Sequence, residues 1–156
     1  MRAFAVTTLI LITTLATAAA HPIQQELEPT PQTPAATAEA LFAAHTQGRF
    51  ERIEAFYTSG ATVSLMQSGR VSTLKVKEYL AWYQGQYASR TSMKFVVGQT
   101  SVSMQGNIAA AWVPLEVQEV MKDGKQVTFR ATASLQMFRE TGVWKISGHA
   151  WQAAAN

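Results

Sequence analysis

The sequence of 156 residues contains no cysteine and a single aspartate, Asp123. Without cysteine the chain can form no disulfide, no thiolate metal site and no lipoprotein anchor. Its three histidines, His21, His45 and His149, lie far apart and lack the His-x-His and His-Glu-x-x-His spacings of metal motifs. We therefore expect no metal ion and no cofactor.

Clusters of basic residues are also missing. Lysines and arginines are scattered, with no run of three, and the formal net charge of +3 reflects a shortage of acidic residues. A nucleic-acid-binding surface normally concentrates its positive charge. We expect no nucleic-acid partner.

The N-terminus has the three parts of a secretory signal peptide. A short basic start at Arg2 precedes an apolar run, and Ala18-Ala19-Ala20 fits the small-residue cleavage rule. The run is too short to span a bilayer comfortably. We predict a signal peptide over 1–20, a proline-containing disordered linker over 21–33 and one folded domain over 34–153. The mature protein is then periplasmic or extracellular, without a stable membrane anchor.

The clearest structural pattern in the sequence runs from Ile108 to Gln152, and it predicts three consecutive antiparallel strands. Its first turn holds Asp123-Gly124 between two alternating runs, a hairpin signal. A one-residue slip would move every side chain to the opposite face, so the apolar pattern selects a three-residue loop. The selected register pairs Met121 with Lys125, Val117 with Phe129, Leu115 with Ala131, Val113 with Ala133, Ala111 with Leu135, Glu116 with Arg130, Pro114 with Thr132 and Trp112 with Ser134.

The second turn is centred on Thr141-Gly142. A two-residue loop predicts the pairs Met137–Ile146, Leu135–Gly148 and Ala133–Ala150, although a three-residue loop ending at Gly142 stays open. The two-residue register places Trp144 on the apolar face. It places His149 and Trp151 on the opposite, mixed face.

Upstream of these strands, apolar residues recur at helical spacing. Helices are predicted over 34–47, 49–57 and 74–88, the first capped by Thr33 and the third by Ser72 or Thr73. Strands are predicted over 61–66 and 92–104. Helices gathered on one face of an antiparallel sheet make an α+β fold.

Four motifs in this order carry a family resemblance: the helix Phe50–Tyr57, Ala111-Trp112-Val113-Pro114, Asp123-Gly124-Lys125 and the ending Gly142–Ile146. From about Thr37 to Gln152 the chain resembles the nuclear-transport-factor-2-like (NTF2-like) superfamily, in its SnoaL-like and related secreted branches. The resemblance implies a cone-shaped, curved antiparallel sheet wrapped around three N-terminal helices, with a pocket in the hollow. Relatives commonly form dimers sheet to sheet.

The apolar face of the sheet carries small residues at its centre and large residues around them, which leaves room for a cavity. The alternative is that tyrosines fill this space. The predicted pocket residues are Tyr57, Tyr79, Tyr83, Phe129, Ala131, Ala133, Trp144 and Ala150. The mixed face predicts the interface of a homodimer, formed by Trp112, Glu116, Arg130, His149 and Trp151.

Enzymatic members of the superfamily often use an aspartate in the hollow, and this sequence has none available there. We therefore expect an exported domain that binds a small apolar ligand or a partner protein, with no catalytic residue assigned. The alternative is a SnoaL-like isomerase, dehydratase or cyclase acting on a small hydrophobic substrate. A buried carboxylate or imidazole within hydrogen-bond range of a tyrosine would favour the enzyme.

Overall fold

The structure is a computed structural model that describes residues 31–67 and 69–154. The predicted signal peptide and most of the linker lie outside this range. The described residues form three helices, α1 (Pro34–Thr46), α2 (Phe50–Ala55) and α3 (Val76–Ala88). They also form seven strands, β1 (Tyr57–Gln67), β2 (Arg70–Lys75), β3 (Arg90–Val97), β4 (Ser101–Gln105), β5 (Ile108–Met121), β6 (Gln126–Glu140) and β7 (Val143–Ala153).

All seven strands belong to one curved, open sheet, and the predicted α+β fold is confirmed. The strand order is β2-β1-β7-β6-β5-β3, with β4 also paired to β5. The β1–β7 pair is parallel, and the other pairs are antiparallel. The helices cover one face, and a single cluster of buried side chains joins them to it. We call the opposite side of the sheet the outer face.

The helix ends follow local chemistry. Thr33 caps α1 as predicted, since its hydroxyl accepts a hydrogen bond from Ala36 N at 3.1 Å. Gly48, with φ +63°, ends that helix where an added Cβ would come within 2.9 Å of the Tyr87 ring. The predicted caps of α3 are wrong, because β2 continues through Ser72 and Thr73 to Lys75.

Three other predicted elements have different boundaries. The strand predicted over 92–104 is two strands, β3 and β4, separated at Gly98, whose N–H donates to Pro114 O at 2.8 Å. The helix predicted over 49–57 ends at Ala55. Tyr57 instead opens β1, which is longer at both ends than the predicted strand 61–66.

The predicted β5–β6 register is confirmed at every pair. The loop has three residues, and Met121 N donates to Lys125 O at 2.8 Å. Gly124 adopts φ +84°, the left-handed conformation that this loop requires. As a result, Val113, Leu115 and Val117 point toward the helices and are buried.

The β6–β7 register is only partly as predicted. The two-residue loop and the Met137–Ile146 pair are confirmed. Beyond them Ser147 is an extra residue, and the register shifts by one, so that Leu135 pairs with His149 and Ala133 with Trp151. The predicted pairs Leu135–Gly148 and Ala133–Ala150 are wrong because of this β-bulge.

The bulge reverses the side chains of the second half of β7. His149 is 3% exposed and Trp151 is half-buried against the core, so placing them on the outer face was wrong. Ala150 is exposed on the outer side, so its place among the pocket residues was also wrong. Ser147 itself is exposed.

None of the described helices is long and apolar enough to cross a membrane.

Deleting Ser147 should make β7 regular while His149 and Trp151 stay inside, because Gly148 would then directly follow Ile146 and the existing pairs would continue without a gap. We therefore expect the free energy of unfolding to change by less than about 2 kcal/mol. Urea unfolding measures this change. Ser147→Ala keeps the bulge and removes only a hydroxyl, so it should cost less than about 1 kcal/mol. A loss of about 4 kcal/mol or more in the deletion variant would contradict the assignment of Ser147 as the extra residue.

Candidate functional site

Aromatic rings fill the centre of the hollow between the helices and the sheet. Phe42 of α1 lies 5.8 Å from Phe95 of β3 and 6.3 Å from Trp151 of β7, measured between ring centroids. Tyr79 and Tyr83 of α3 stack on each other at 6.1 Å. Such contacts add to the free energy gained by burying the rings, and they fix the side chains in place.

His45 lies inside this layer with both ring nitrogens hydrogen-bonded. Its Nδ1 lies 2.9 Å from Leu41 O, and a carbonyl only accepts, so Nδ1 carries the proton. Its Nε2 therefore accepts the hydroxyl proton of Tyr79 at 2.8 Å. Burial lowers the pKa of His45 to about 4, against the hydrogen bond to Leu41. Burial also raises the pKa of Tyr79.

His149 forms a second pair of this kind with Tyr57. Its Nδ1 lies 2.8 Å from the Tyr57 hydroxyl, and its Nε2 is buried without a hydrogen-bond partner among the described residues. Burial, and then the neighbouring His45, lower the pKa of His149 to about 3. Burial raises the pKa of Tyr57. Both tyrosine–histidine pairs are therefore uncharged at neutral pH.

A cavity of about 140 Å³ opens beside this layer, between α3 and the strands. Its walls are mainly aromatic and apolar, with one acid and one base. The lining residues are Leu65, Tyr79, Trp82, Tyr83, Gln86, Arg90, Met93, Phe95, Val117, Glu119, Phe129, Trp151 and Ala153.

Arg90 and Glu119 form an ion pair in the cavity lining. Arg90 Nε lies 2.9 Å from Glu119 Oε2, and the two side chains are 13% and 9% exposed. The N–H of Nε does not point at that oxygen with hydrogen-bond geometry. The contact is therefore a pairing of charges, and Arg90 makes its hydrogen bonds to Gln86 and Ser89 instead.

Three of the predicted pocket residues, Tyr79, Tyr83 and Phe129, lie in the cavity lining. Tyr57, Ala131, Ala133 and Trp144 are buried but do not line it. Side chains of the core fill the space at the central alanines, so the cavity lies nearer the end of α3.

Sequence reasoning did not identify Glu119, Arg90 or Trp82 as site residues. For Glu119 a signal was available. The predicted register already aligned Val113, Leu115 and Val117 on the inner face, and Glu119 is the next residue in that series. A carboxylate continuing an apolar inward series is a candidate functional group. Trp151 was missed as a lining residue because the bulge gives no clear sequence signal.

Among the described residues, no group of three histidine or acidic side chains is placed to hold a metal ion.

Comparison with known proteins places this fold in a family. A family model described as "putative lumazine-binding" matches residues 32–152. The chain belongs to this family. No protein with a curated description matches the sequence significantly.

The solved structures that resemble the chain confirm its NTF2-like fold. A "putative dehydratase from the NTF2-like family" of Streptomyces avermitilis has a TM-score of 0.64 and 19% identity, over 78% of this chain and 94% of that one. A "putative scytalone dehydratase" of Novosphingobium aromaticivorans has a TM-score of 0.67 and 9% identity, over 76% and 80%. An NTF-2 like protein of unknown function from Silicibacter pomeroyi has 0.56 and 21%, over 77% and 92%.

The two buried imidazoles make the stability of this family member depend on pH. An unfolded histidine takes up a proton below its ordinary pKa of 6.5, whereas His45 and His149 resist protonation down to about 4 and about 3. Stability should therefore be full above pH 6.5 and fall as the pH decreases. Each histidine should contribute about 1.4 kcal/mol per pH unit below that value.

Urea unfolding at a series of pH values measures this slope. Between about pH 6 and about pH 5, the free energy of unfolding should fall less in His45→Gln and in His149→Gln than in wild type. The difference should be about 1.4 kcal/mol, because unfolding takes up one proton fewer in each variant. Comparing slopes cancels the constant cost of each substitution and the contribution of the carboxylates. Equal slopes in all three proteins would contradict the assignment of neutral buried imidazoles.

Proposed function

We propose that this protein is an exported domain that binds a small, planar, largely apolar molecule in the cavity between α3 and the sheet. The observation that carries the proposal is the lining itself. Aromatic and other apolar side chains supply most of the wall, and a single ion pair supplies the charge. Apolar walls with a few placed polar groups are typical of small-molecule sites.

The cavity volume limits the size of the enclosed part of the ligand. An apolar cavity of roughly 150 Å³ holds a benzene molecule, so about 140 Å³ accommodates one aromatic ring. Because the cavity is open on one side, a second fused ring can extend toward solvent. The family description, "putative lumazine-binding", agrees with this shape, since lumazine is a flat bicyclic heterocycle. Lumazine is therefore the first probe.

Isothermal titration calorimetry with lumazine tests the proposal, using two phenylalanines of the same strand. Phe129 lines the cavity, whereas Phe138 is 45% exposed on the outer face. Phe129→Ala should weaken binding by about tenfold, because a stacking surface is lost. Phe138→Ala should leave the affinity unchanged. Equal effects of the two variants, or no binding by the wild type, would count against the site.

A catalytic function is the second candidate, and the Tyr79–His45 pair favours it. Two imidazoles lie in hydrogen-bond range of tyrosines, as an enzyme of this fold would need. Only Tyr79 of these four residues lines the cavity, so it alone of the four can contact a substrate there. The raised pKa of Tyr79 and the lowered pKa of His45 both oppose proton transfer between them. We therefore propose ligand binding, and not catalysis, as the first function.

Scytalone is a suitable probe for catalysis, because one structural neighbour is described as a "putative scytalone dehydratase". If the protein is a dehydratase, Tyr79→Phe should retain binding and lose the reaction by about a hundredfold or more. Absence of any turnover by the wild type, together with ligand binding, would leave the binding function alone.

We also propose that the mature domain forms a homodimer through its outer face. The surface involved, the outer patch, consists of Val96, Ile108, Trp112 and Phe138, which are 39–65% exposed on neighbouring strands. Glu116 and Arg130 pair across the same face and give it both charge signs, as a self-complementary contact requires. The predicted interface residues Trp112, Glu116 and Arg130 lie on the outer face, whereas Trp151 and His149 point into the core.

Sedimentation velocity tests the dimer. Combining Trp112→Ala with Phe138→Ala should convert a dimer into a folded monomer, since exposed aromatic residues dominate such interfaces. Val71→Ser on β2, where Val71 is 61% exposed away from the outer patch, is the matched control and should remain dimeric. A wild-type protein that sediments as a monomer at tens of micromolar would refute the proposal.

A further inference from the structure

Glu119 occupies an inward position that the rest of β5 fills with apolar residues. It follows Val113, Leu115 and Val117 on the face covered by the helices, and it is 8% exposed. Among the described residues it is the one buried carboxylate. A carboxylate in such a position is unfavourable unless it has a partner.

Its partner, Arg90, is held by residues at the end of α3. Arg90 begins β3 directly after α3, and its Nη1 donates to Gln86 O at 2.5 Å, to Gln86 Oε1 at 3.2 Å and to Ser89 Oγ at 2.9 Å. These contacts fix the guanidinium at the C-terminal end of α3, where a positive charge is favourable. The guanidinium is therefore in place before any ligand arrives.

The result is a fixed donor beside a fixed acceptor in the wall of an aromatic cavity. Arg90 Nε and Glu119 Oε2 lie 2.9 Å apart without a directed hydrogen bond between them, and both side chains line the cavity. Ion pairs that are partly buried add little to stability on their own. Charged donors and acceptors do form strong hydrogen bonds with a ligand that matches them.

The complementary ligand edge is neutral and carries an N–H next to a carbonyl oxygen. The N–H donates to Glu119 while the carbonyl accepts from Arg90. An anionic ligand would be repelled by Glu119, and a cationic one by Arg90. A purely aromatic ring would desolvate both charges without adding a hydrogen bond to either.

We propose that the Arg90–Glu119 pair is the specificity element of the cavity and selects planar ligands with a cyclic amide or imide edge. This inference rests on the proposed binding function and names its ligand class. It assigns Arg90 and Glu119 as ligand-binding residues.

Calorimetry with three matched probes tests the inference. Quinoxalin-2-one carries the N–H and the carbonyl side by side, its N-methyl derivative lacks the N–H, and quinoxaline lacks both. The wild type should bind quinoxalin-2-one at least about tenfold more tightly than either of the others. Glu119→Gln and Arg90→Lys should reduce this preference to within about threefold, while the affinity for quinoxaline stays similar.

The outer-face pair supplies the control. Glu116→Gln and Arg130→Lys change the same residue types at a β5–β6 cross-strand pair outside the cavity, and should keep the full preference. Because the measured quantity is a ratio of affinities in one variant, a general loss of folding cannot imitate it, and Glu119→Gln and Arg90→Lys test it independently.

Two results would overturn the inference in distinguishable ways. Equal binding of quinoxaline and quinoxalin-2-one by the wild type would refute the role of the ion pair while leaving the aromatic binding site intact. Binding of none of the three probes would refute both the inference and the proposed function.

Discussion

The bulge at Ser147 is the constraint on which the interior depends. Before the bulge, the side chains of Trp144 and Ile146 point toward the helices. After it, those of His149 and Trp151 point the same way. In a regular strand the small residues Gly148 and Ala150 would point inward instead. The bulge thus puts two rings in the hollow where two small side chains would otherwise lie. His149 forms a hydrogen bond with Tyr57, and Trp151 borders the cavity.

The polar groups of the hollow are of two physical kinds. The tyrosine–histidine pairs are fully buried and uncharged, because burial raises the pKa of the tyrosines and lowers that of the histidines. Neutral hydrogen bonds of this kind are compatible with a closely packed core, and they fix α1 against α3 and β1 against β7. They connect Leu41 and His45 of α1 to Tyr79 of α3, and Tyr57 of β1 to His149 of β7.

Periodicity alone predicted much of this arrangement. Alternation in β5 and β6, together with Asp123-Gly124, determined the register of the central hairpin, since a slip would have put either Glu116 or Arg130 on the apolar face. The helix predicted over 34–47 also followed from spacing, and in α1 Leu41, Phe42 and His45 are buried. The register of β7 could not be predicted beyond Ile146. A bulge depends on how a strand fits both of its neighbours, and here β1 pairs with β7 in parallel from a distant part of the chain.

The contrast between the two kinds of polar group supports the proposed binding site. Of the two neutral pairs deep in the core, only Tyr79 lines the cavity, and its hydroxyl is hydrogen-bonded to His45. The charged pair has the opposite character, since Arg90 and Glu119 keep a partial exposure and meet without a directed hydrogen bond. If the structure needed only a filled wall at this point, an apolar side chain continuing the inward series of β5 would serve at lower desolvation cost. Retaining two charges beside aromatic rings is favourable chiefly when something else shares them, which a flat ligand with its own donor and acceptor can do.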